Sequence, residues 1–233
     1  MHEHASARKA LESMIQSGDL EGLLLNAEAL HGHRCPYLAL GVKAGQYALT
    51  RLFPEGHRLE EAVAILEGAN CFADGIQMVT GCTLGNGRLF FKDLGKTAVT
   101  VARPDGKGVR LLVRPDFRER LFFKYPSAAP LFQKVMLQGD ATQEEKHQFQ
   151  HMWSAMARRE LDTPLEEEFL IKDCTIKAPA RSRPFSGVIC SHCGEGVTEE
   201  RIRVREGKPW CLACAGESFF MLTRRGVSSG KEL

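Results

Sequence analysis

Residues 30–45 read LHGHRCPYLALGVKAG and contain three potential metal ligands in alternation, His31, His33 and Cys35. If the segment is extended, these three side chains point to the same side of the backbone. Pro36 suits the first position of a helix, because its missing N–H would be unpaired there anyway. Cys35 would then face the positive end of the helix dipole, which favours the thiolate that binds metals or attacks electrophiles. We therefore predict a metal or thiol site at this helix start; the alternative is a buried cysteine and two hydrogen-bonded histidines in a turn.

A second cysteine lies at a similar junction. Residues 62–66 form a short apolar run typical of a central strand, and Cys71 follows at the start of a predicted helix that Gly81 ends. Asp74 lies one helical turn beyond Cys71 on the same face. Cys71 can therefore add a thiolate to the first site, with Asp74 as a nearby polar group. Cys82 can close the open position that a catalytic zinc site keeps.

The periodicity of apolar residues predicts an α+β domain around these junctions. We expect helices over residues 5–15, 20–30, 36–53, 71–79, 128–137 and 142–161, and strands over residues 62–66, 89–93, 97–102, 109–113 and 169–176. The three strands between residues 89 and 113 predict an antiparallel meander. Thr142 and Glu145 have the spacing of a capping box. Gly41 and Gly45 indicate close packing of the helix that contains them.

Four cysteines near the C-terminus have the spacing of a structural zinc site. Cys190 and Cys193 are separated by 17 residues from Cys211 and Cys214, which predicts a closed tetrahedral site in a small treble-clef finger. We expect an apolar helical run to begin at Cys211. Because so short a segment has little core, metal binding would supply its folding energy. Disulfides or free thiols are the alternative.

Composition and charge limit the domains, partners and location. We expect a domain over residues 1–176, a linker rich in Pro, Ser and Arg over 177–187, and the finger over 188–233. Residues 177–233 carry 10 Lys and Arg against 6 Asp and Glu, and the rest carries 21 against 23, so no strongly basic nucleic-acid-binding domain is present. No apolar run approaches the ~18 residues of a membrane span. The first residues lack a secretory pattern, so we expect a cytoplasmic protein. In that compartment we expect the eight cysteines to bind metals rather than to form disulfides.

Two further motifs carry less weight. Residues 95–97, Gly-Lys-Thr, resemble the end of a phosphate-binding loop, but Phe90 stands where that loop requires glycine. Nucleotide binding is therefore not supported. His147 and His151 lie four apart on a predicted helix, but no general-base Glu stands between them. We interpret them as surface histidines.

Three blocks, HGHRCPYLALGVKAG, CFADGIQMVTGCTLGNG and DLGKTA, occur in order within about residues 20–115. Together they resemble the FmdE family, which takes its name from formylmethanofuran dehydrogenase. The resemblance implies a thioredoxin-like core with a mixed sheet flanked by helices, a metal in its cleft and, in many members, a C-terminal finger. It carries over eight side chains: His31, His33, Cys35, Cys71, Asp74, Gln77, Cys82 and Lys96.

The resemblance implies roles for some of these residues. His31, His33, Cys35, Cys71 and Cys82 are the candidate ligands of zinc or another transition metal. Cys35, Asp74 and Lys96 are the candidate catalytic residues. Lys96 would serve an anionic substrate, because an ammonium group has no lone pair for a metal.

These observations lead to two hypotheses about function. The first is a zinc-binding accessory protein or enzyme of one-carbon metabolism that involves a molybdenum or tungsten formylmethanofuran dehydrogenase. We then expect a homodimer, from the apolar N-terminal helices and the family resemblance, and a protein partner in that enzyme system, but neither nucleic acid nor membrane. The second is a redox or regulatory module in which Cys35 and Cys71 act as thiols and the finger binds a partner. A second metal beyond the finger would favour the first.

Overall fold

A computed structural model describes residues 6–54, 61–177, 186–223 and 225–230. The chain divides into two compact units, residues 1–179 and 180–233. Most of the predicted linker, residues 178–185, lies outside the described residues. None of the described helices is both long and apolar enough to cross a membrane.

The first unit contains helices at most of the predicted places. They are α1 (Ser6–Ser17), α2 (Leu20–His31), α3 (Pro36–Leu52), α4 (Cys71–Thr80), α5 (Phe117–Lys124), α6 (Ala128–Phe132), α7 (Gln143–Glu160) and α8 (Leu165–Glu168). A π-helical turn, Gln133–Gln138, continues α6. The capping box before α7 is confirmed, because Thr142 Oγ1 accepts from the Glu145 N–H and a Glu145 carboxylate oxygen accepts from the Thr142 N–H.

A five-stranded mixed sheet packs against these helices, so the predicted α+β class with a mixed sheet is confirmed. Its strands are β1 (Val63–Leu66), β2 (Leu89–Phe91), β3 (Ala98–Ala102), β4 (Lys107–Val113) and β5 (Phe169–Thr175). The order is β2-β1-β3-β4-β5, with β1 and β2 parallel and the other neighbours antiparallel. The predicted meander is therefore wrong for β2: α4 forms a crossover that returns β2 parallel to β1. The thioredoxin-like description stays a prediction.

The two helices that carry the cysteines cross with their backbones in close contact. A Cβ built at Gly75 would lie 2.6 Å from the Leu38 carbonyl oxygen and 2.8 Å from the Val42 nitrogen. A Cβ built at Gly45 would lie 3.0 Å from the Val79 Cβ, so close packing at this glycine is confirmed. Only glycine permits this approach. The crossing places the N-terminal ends of α3 and α4 side by side.

The described part of the second unit contains three hairpins. They are β6 (Gly187–Ile189) with β7 (Gly196–Thr198), β8 (Ile202–Arg205) with β9 (Lys208–Cys211), and β10 (Phe219–Thr223) with β11 (Gly226–Gly230). The helical run expected from Cys211 is wrong, because residues 212–216 form turns instead. These turns close through hydrogen bonds from Ala215 N–H to Cys211 O and from Gly216 N–H to Ala213 O, and Gly216 has a left-handed φ of 66°.

Candidate metal centres

The segment between α2 and α3 positions three of the predicted ligands. His31 is the last residue of α2, and Gly32 follows it in the left-handed region with φ 89°, so the expected extended run from His31 is wrong. Cys35 is extended, with φ −151° and ψ 159°, and it caps α3. Its Sγ accepts from the Leu38 N–H at 3.3 Å. The glycine turn, rather than strand alternation, brings the His31 and His33 rings to 4.4 Å between centroids.

Cys71 meets this segment from the neighbouring helix. It is the first residue of α4, and Asn70 caps that helix by accepting from the Phe72 N–H at 3.1 Å. One ligand atom from each of four side chains, His31, His33, Cys35 and Cys71, lies within 4.8 Å of the other three. Two imidazoles and two thiols therefore converge on one point at the N-terminal ends of α3 and α4.

Asp74 fixes the orientation of His31. Its Oδ2 lies 2.6 Å from His31 Nδ1, and the Gln77 amide donates to its Oδ1 at 3.0 Å. If Nδ1–H donates to this carboxylate, the lone pair of Nε2 is free. His31 Nε2 is buried and has no hydrogen-bond partner. Carboxylates hold metal-binding histidines in this way. The unpaired Nε2 therefore indicates that these residues are suited to bind a metal.

A hydrogen bond joins the two thiols of the cluster. A hydrogen bond from the Cys35 thiol to the Cys71 sulfur lowers the pKa of Cys71 to about 5, with the nearby His31 lowering it further. The same hydrogen bond, together with burial, raises the pKa of Cys35. Cys71 is therefore the more acidic thiol of the pair, and a metal would take the place of the proton between the two sulfurs.

The structure separates Cys82 from this cluster. Cys82 lies beyond the opposite end of α4, about 15 Å along a ten-residue helix, and its buried thiol donates to Ala62 O at 3.3 Å. The prediction that Cys82 is a ligand is therefore wrong.

The Lys96 side chain is exposed. Its backbone N–H donates to Glu67 O at 2.9 Å, so Lys96 supports the loop before α4.

Sequence reasoning missed an aromatic neighbour of the thiols. The Tyr37 ring packs edge-on against Phe117, with 5.4 Å between centroids. Burial raises the pKa of Tyr37, with smaller effects from Cys35 and Cys71 that raise it and from Arg118 that lowers it. Its position two residues after Cys35, in the first turn of the predicted helix, could have indicated this proximity. Tyr37 thus adds a phenol beside the cluster.

Comparison with known proteins identifies the family. The family model described as "FmdE, Molybdenum formylmethanofuran dehydrogenase operon" matches residues 30–170. The chain belongs to the FmdE family. The match contains all four side chains of the N-terminal cluster, and it confirms the resemblance inferred from the three sequence blocks.

Two relatives extend this result. A "Probable S-adenosyl-L-methionine-binding protein" from Archaeoglobus fulgidus is 37% identical over 213 residues, which is 89% of this FmdE chain and 56% of the relative. The chain thus spans little more than half of that relative's length. The crystal structure of an FmdE-like protein of the tungsten formylmethanofuran dehydrogenase type, from Syntrophus aciditrophicus, has a TM-score of 0.56 and 23% identity, covering 84% of this chain and 92% of its own. It shows the shared fold.

The second unit of this FmdE protein carries the other cysteine cluster. One sulfur from each of Cys190, Cys193, Cys211 and Cys214 lies within 4.8 Å of the others. Backbone N–H groups, first that of Cys193 and then that of Cys211, donate to Cys190 and lower its pKa to about 6. A model described as "Prokaryotic dksA/traR C4-type zinc finger" matches residues 183–218. The predicted four-cysteine zinc finger is confirmed. His192 is not in the cluster, and its ring packs against Trp210 with 4.8 Å between centroids.

Proposed function

We propose that this FmdE-family protein binds a transition metal, preferably zinc, at His31, His33, Cys35 and Cys71. With this metal it acts as an accessory protein or an enzyme of formylmethanofuran dehydrogenase-type one-carbon metabolism. The observation that carries the proposal is the unpaired, buried Nε2 of His31, whose other nitrogen contacts Asp74. A buried polar atom without a partner is costly unless a ligand satisfies it. The family name supports the metabolic assignment.

The donor set favours zinc. Two imidazoles and two thiolates combine borderline and soft ligands, which suit tetrahedral zinc. Four protein ligands fill a tetrahedral site, so chemistry would require a fifth ligand or the departure of one side chain, as happens at some zinc centres. The site is half-buried at His33 and Cys71, which leaves it open to a small molecule. In an enzyme, Asp74 would orient His31, and Lys96 would attract an anionic substrate.

Cobalt substitution tests this proposal. Wild type and the Cys71→Ser variant, both loaded with cobalt, should differ by the absorption of the N-terminal site, since the finger is the same in both. We expect formate, the simplest one-carbon anion, to shift that difference spectrum if the site binds substrate. An unshifted spectrum would overturn the enzyme role and leave an accessory metal protein. If the two proteins have the same spectrum, the metal proposal fails, and the thiol-redox alternative takes its place.

A second candidate function is binding of S-adenosyl-L-methionine, after the name of the Archaeoglobus relative. A pocket of about 540 Å³ lies between α5 and the end of α7, and its lining includes Phe117, Leu121, Lys124, Glu160 and Glu167. This volume is in the range of small-molecule sites, and the mixed charges could pair with a sulfonium, an amino group and a carboxylate. Equilibrium dialysis with radiolabelled S-adenosyl-L-methionine tests it. A Glu160→Gln variant that binds the ligand as tightly as wild type would exclude this pocket.

The homodimer also stays a prediction. Leu25 and Leu30 of α2 are 55% and 57% exposed, and burial in a symmetric interface would remove them from water. Light scattering at high micromolar concentration tests it, and a mass near 25.9 kDa would contradict it.

A further inference from the structure

Two histidines outside both cysteine clusters face solvent from α7. The opposite face of this helix is buried through Phe149, Trp153 and Met156, and Phe149 stacks on Trp153 with 4.9 Å between centroids. That packing fixes the rotation of α7. His147 and His151 are consequently both exposed, as their interpretation as surface histidines requires.

Their geometry is nevertheless that of a chelating pair. Residues four apart are neighbours on a helical surface, and here the two Nε2 atoms lie 3.1 Å apart. Two nitrogens bound to one tetrahedral zinc at 2.0–2.1 Å lie about 3.3 Å apart. Without a metal, one Nε2–H donates to the other nitrogen, so one proton occupies the position that an ion would take. The change from hydrogen bond to chelate needs only a small rotation of the rings.

The surroundings define the kind of site. Among the residues that the structure describes, no third His, Cys, Asp or Glu ligand atom joins this pair. Two protein ligands leave the remaining coordination positions to water or to a ligand from outside. Gln148 and Gln150, rather than a general-base Glu, lie between the histidines, so a metalloprotease-type mechanism has no base here. The pair suits binding rather than hydrolysis.

We infer that His147 and His151 form a third metal site, which chelates a divalent ion that favours imidazole, such as Ni²⁺, Cu²⁺ or Zn²⁺. The site is independent of both cysteine clusters, because it uses neither thiols nor buried groups. Its ion is accessible to solvent and exchanges readily, unlike an ion enclosed by four protein ligands.

Isothermal titration calorimetry, with Ni²⁺ titrated into the zinc-loaded full-length protein, tests this site. We expect wild type to bind one additional Ni²⁺ per chain at α7. The control is the double variant Gln148→His with His151→Gln, which has the same composition as wild type but places the imidazoles one residue apart, about 100° around the helix. Loss of the intramolecular second ligand should weaken this binding on the order of 100-fold.

The control isolates the chelate from other histidines, since every histidine outside α7 is unchanged. Circular dichroism establishes that the helix is intact, and the single variant His151→Gln provides a second measurement with the same expected loss. Equal Ni²⁺ affinity in wild type and the double variant would overturn the inference. So would a wild-type protein that takes up no additional Ni²⁺.

Discussion

Gly75 of α4 lies directly against Gly41 of α3: a Cβ built at Gly75 would come within 2.9 Å of the Gly41 carbonyl carbon. This contact is where the two helices cross. Because Cys35 and Cys71 are at the N-terminal ends of these helices, the spacing between the helices also sets the spacing between the thiols. The metal cluster therefore depends on two residues that contribute no ligand.

Substitution of Gly75 tests this dependence. We expect Gly75→Ala to force α3 and α4 apart, to destabilise the first unit by about 1–3 kcal/mol, and to weaken its metal binding. The finger should keep its zinc. Thermal unfolding and metal content measure the two effects. Gly85→Ala is the control, because a Cβ there meets only Thr83 Oγ1 at 4.0 Å; a Gly75→Ala protein that behaves like this control would show that the crossing does not set the site.

Much of this arrangement was predictable from sequence because it is local. Pro36 favours a helix start because it has no N–H to leave unpaired, and the Thr142–Glu145 capping box sets another through its own hydrogen bonds. Strand partners are different: β2 has three residues, too few to select a neighbour, and its place beside β1 follows from the crossover. α5 was missed because its helical face buries only Phe117 and Leu121.

In the candidate site, too, local features could be predicted from sequence and tertiary contacts could not. His31, His33 and Cys35 could be grouped because they are adjacent in sequence. The addition of Cys71 could be proposed from its helix start. The helix predicted over residues 71–79 also places Cys82 about 15 Å away at its other end, so Cys82 could have been excluded from sequence. The pairing of His31 with Asp74, 43 residues apart, became visible only with the helices in place.

Asp74 should control metal affinity through His31. An Asp74→Asn variant retains the shape of the side chain but loses the charge that orients the imidazole and increases its basicity. Loss of such a partner typically lowers metal affinity about 10–100-fold. Competition with a chelator measures the zinc affinity of the first unit. Asp173→Asn, which removes an exposed carboxylate paired with Arg51, should leave affinity unchanged; equal affinities in the two variants would refute the role of Asp74.

Glu67 should make stability depend on pH. Arg110 donates two hydrogen bonds to its carboxylate, at 2.6 and 2.7 Å, and these lower the pKa of Glu67 below its ordinary value of 4.5. A lowered folded-state pKa contributes stability that is present above pH 4.5 and is lost as pH falls through the folded pKa. Glu67→Gln should therefore lower the melting temperature at pH 7 and converge with wild type in acid.

The control for this measurement is Glu166→Gln, at an exposed side chain. It should follow the wild-type profile at every pH. A difference between Glu67→Gln and wild type that is constant from pH 7 to pH 3 would show that ionisation of Glu67 is not the cause.

Cys82 should be dispensable for metal binding. Its buried thiol donates to Ala62 O, and burial raises its pKa, which disfavours the thiolate that a metal needs. We expect Cys82→Ala to lower stability modestly, by about 1 kcal/mol, and to leave metal content unchanged. Loss of one metal from this variant would return Cys82 to the ligand set.

Metal content tests the central claim most directly, because the claim is that each chain holds two independent cysteine-containing metal centres. Full-length protein purified without chelator and dialysed against metal-free buffer should contain two tightly bound metals per chain. Cys71→Ser and Cys211→Ser should each contain one, lost from the first unit and from the finger respectively. Two metals in Cys71→Ser, or a single metal in wild type that Cys211→Ser abolishes, would contradict the account.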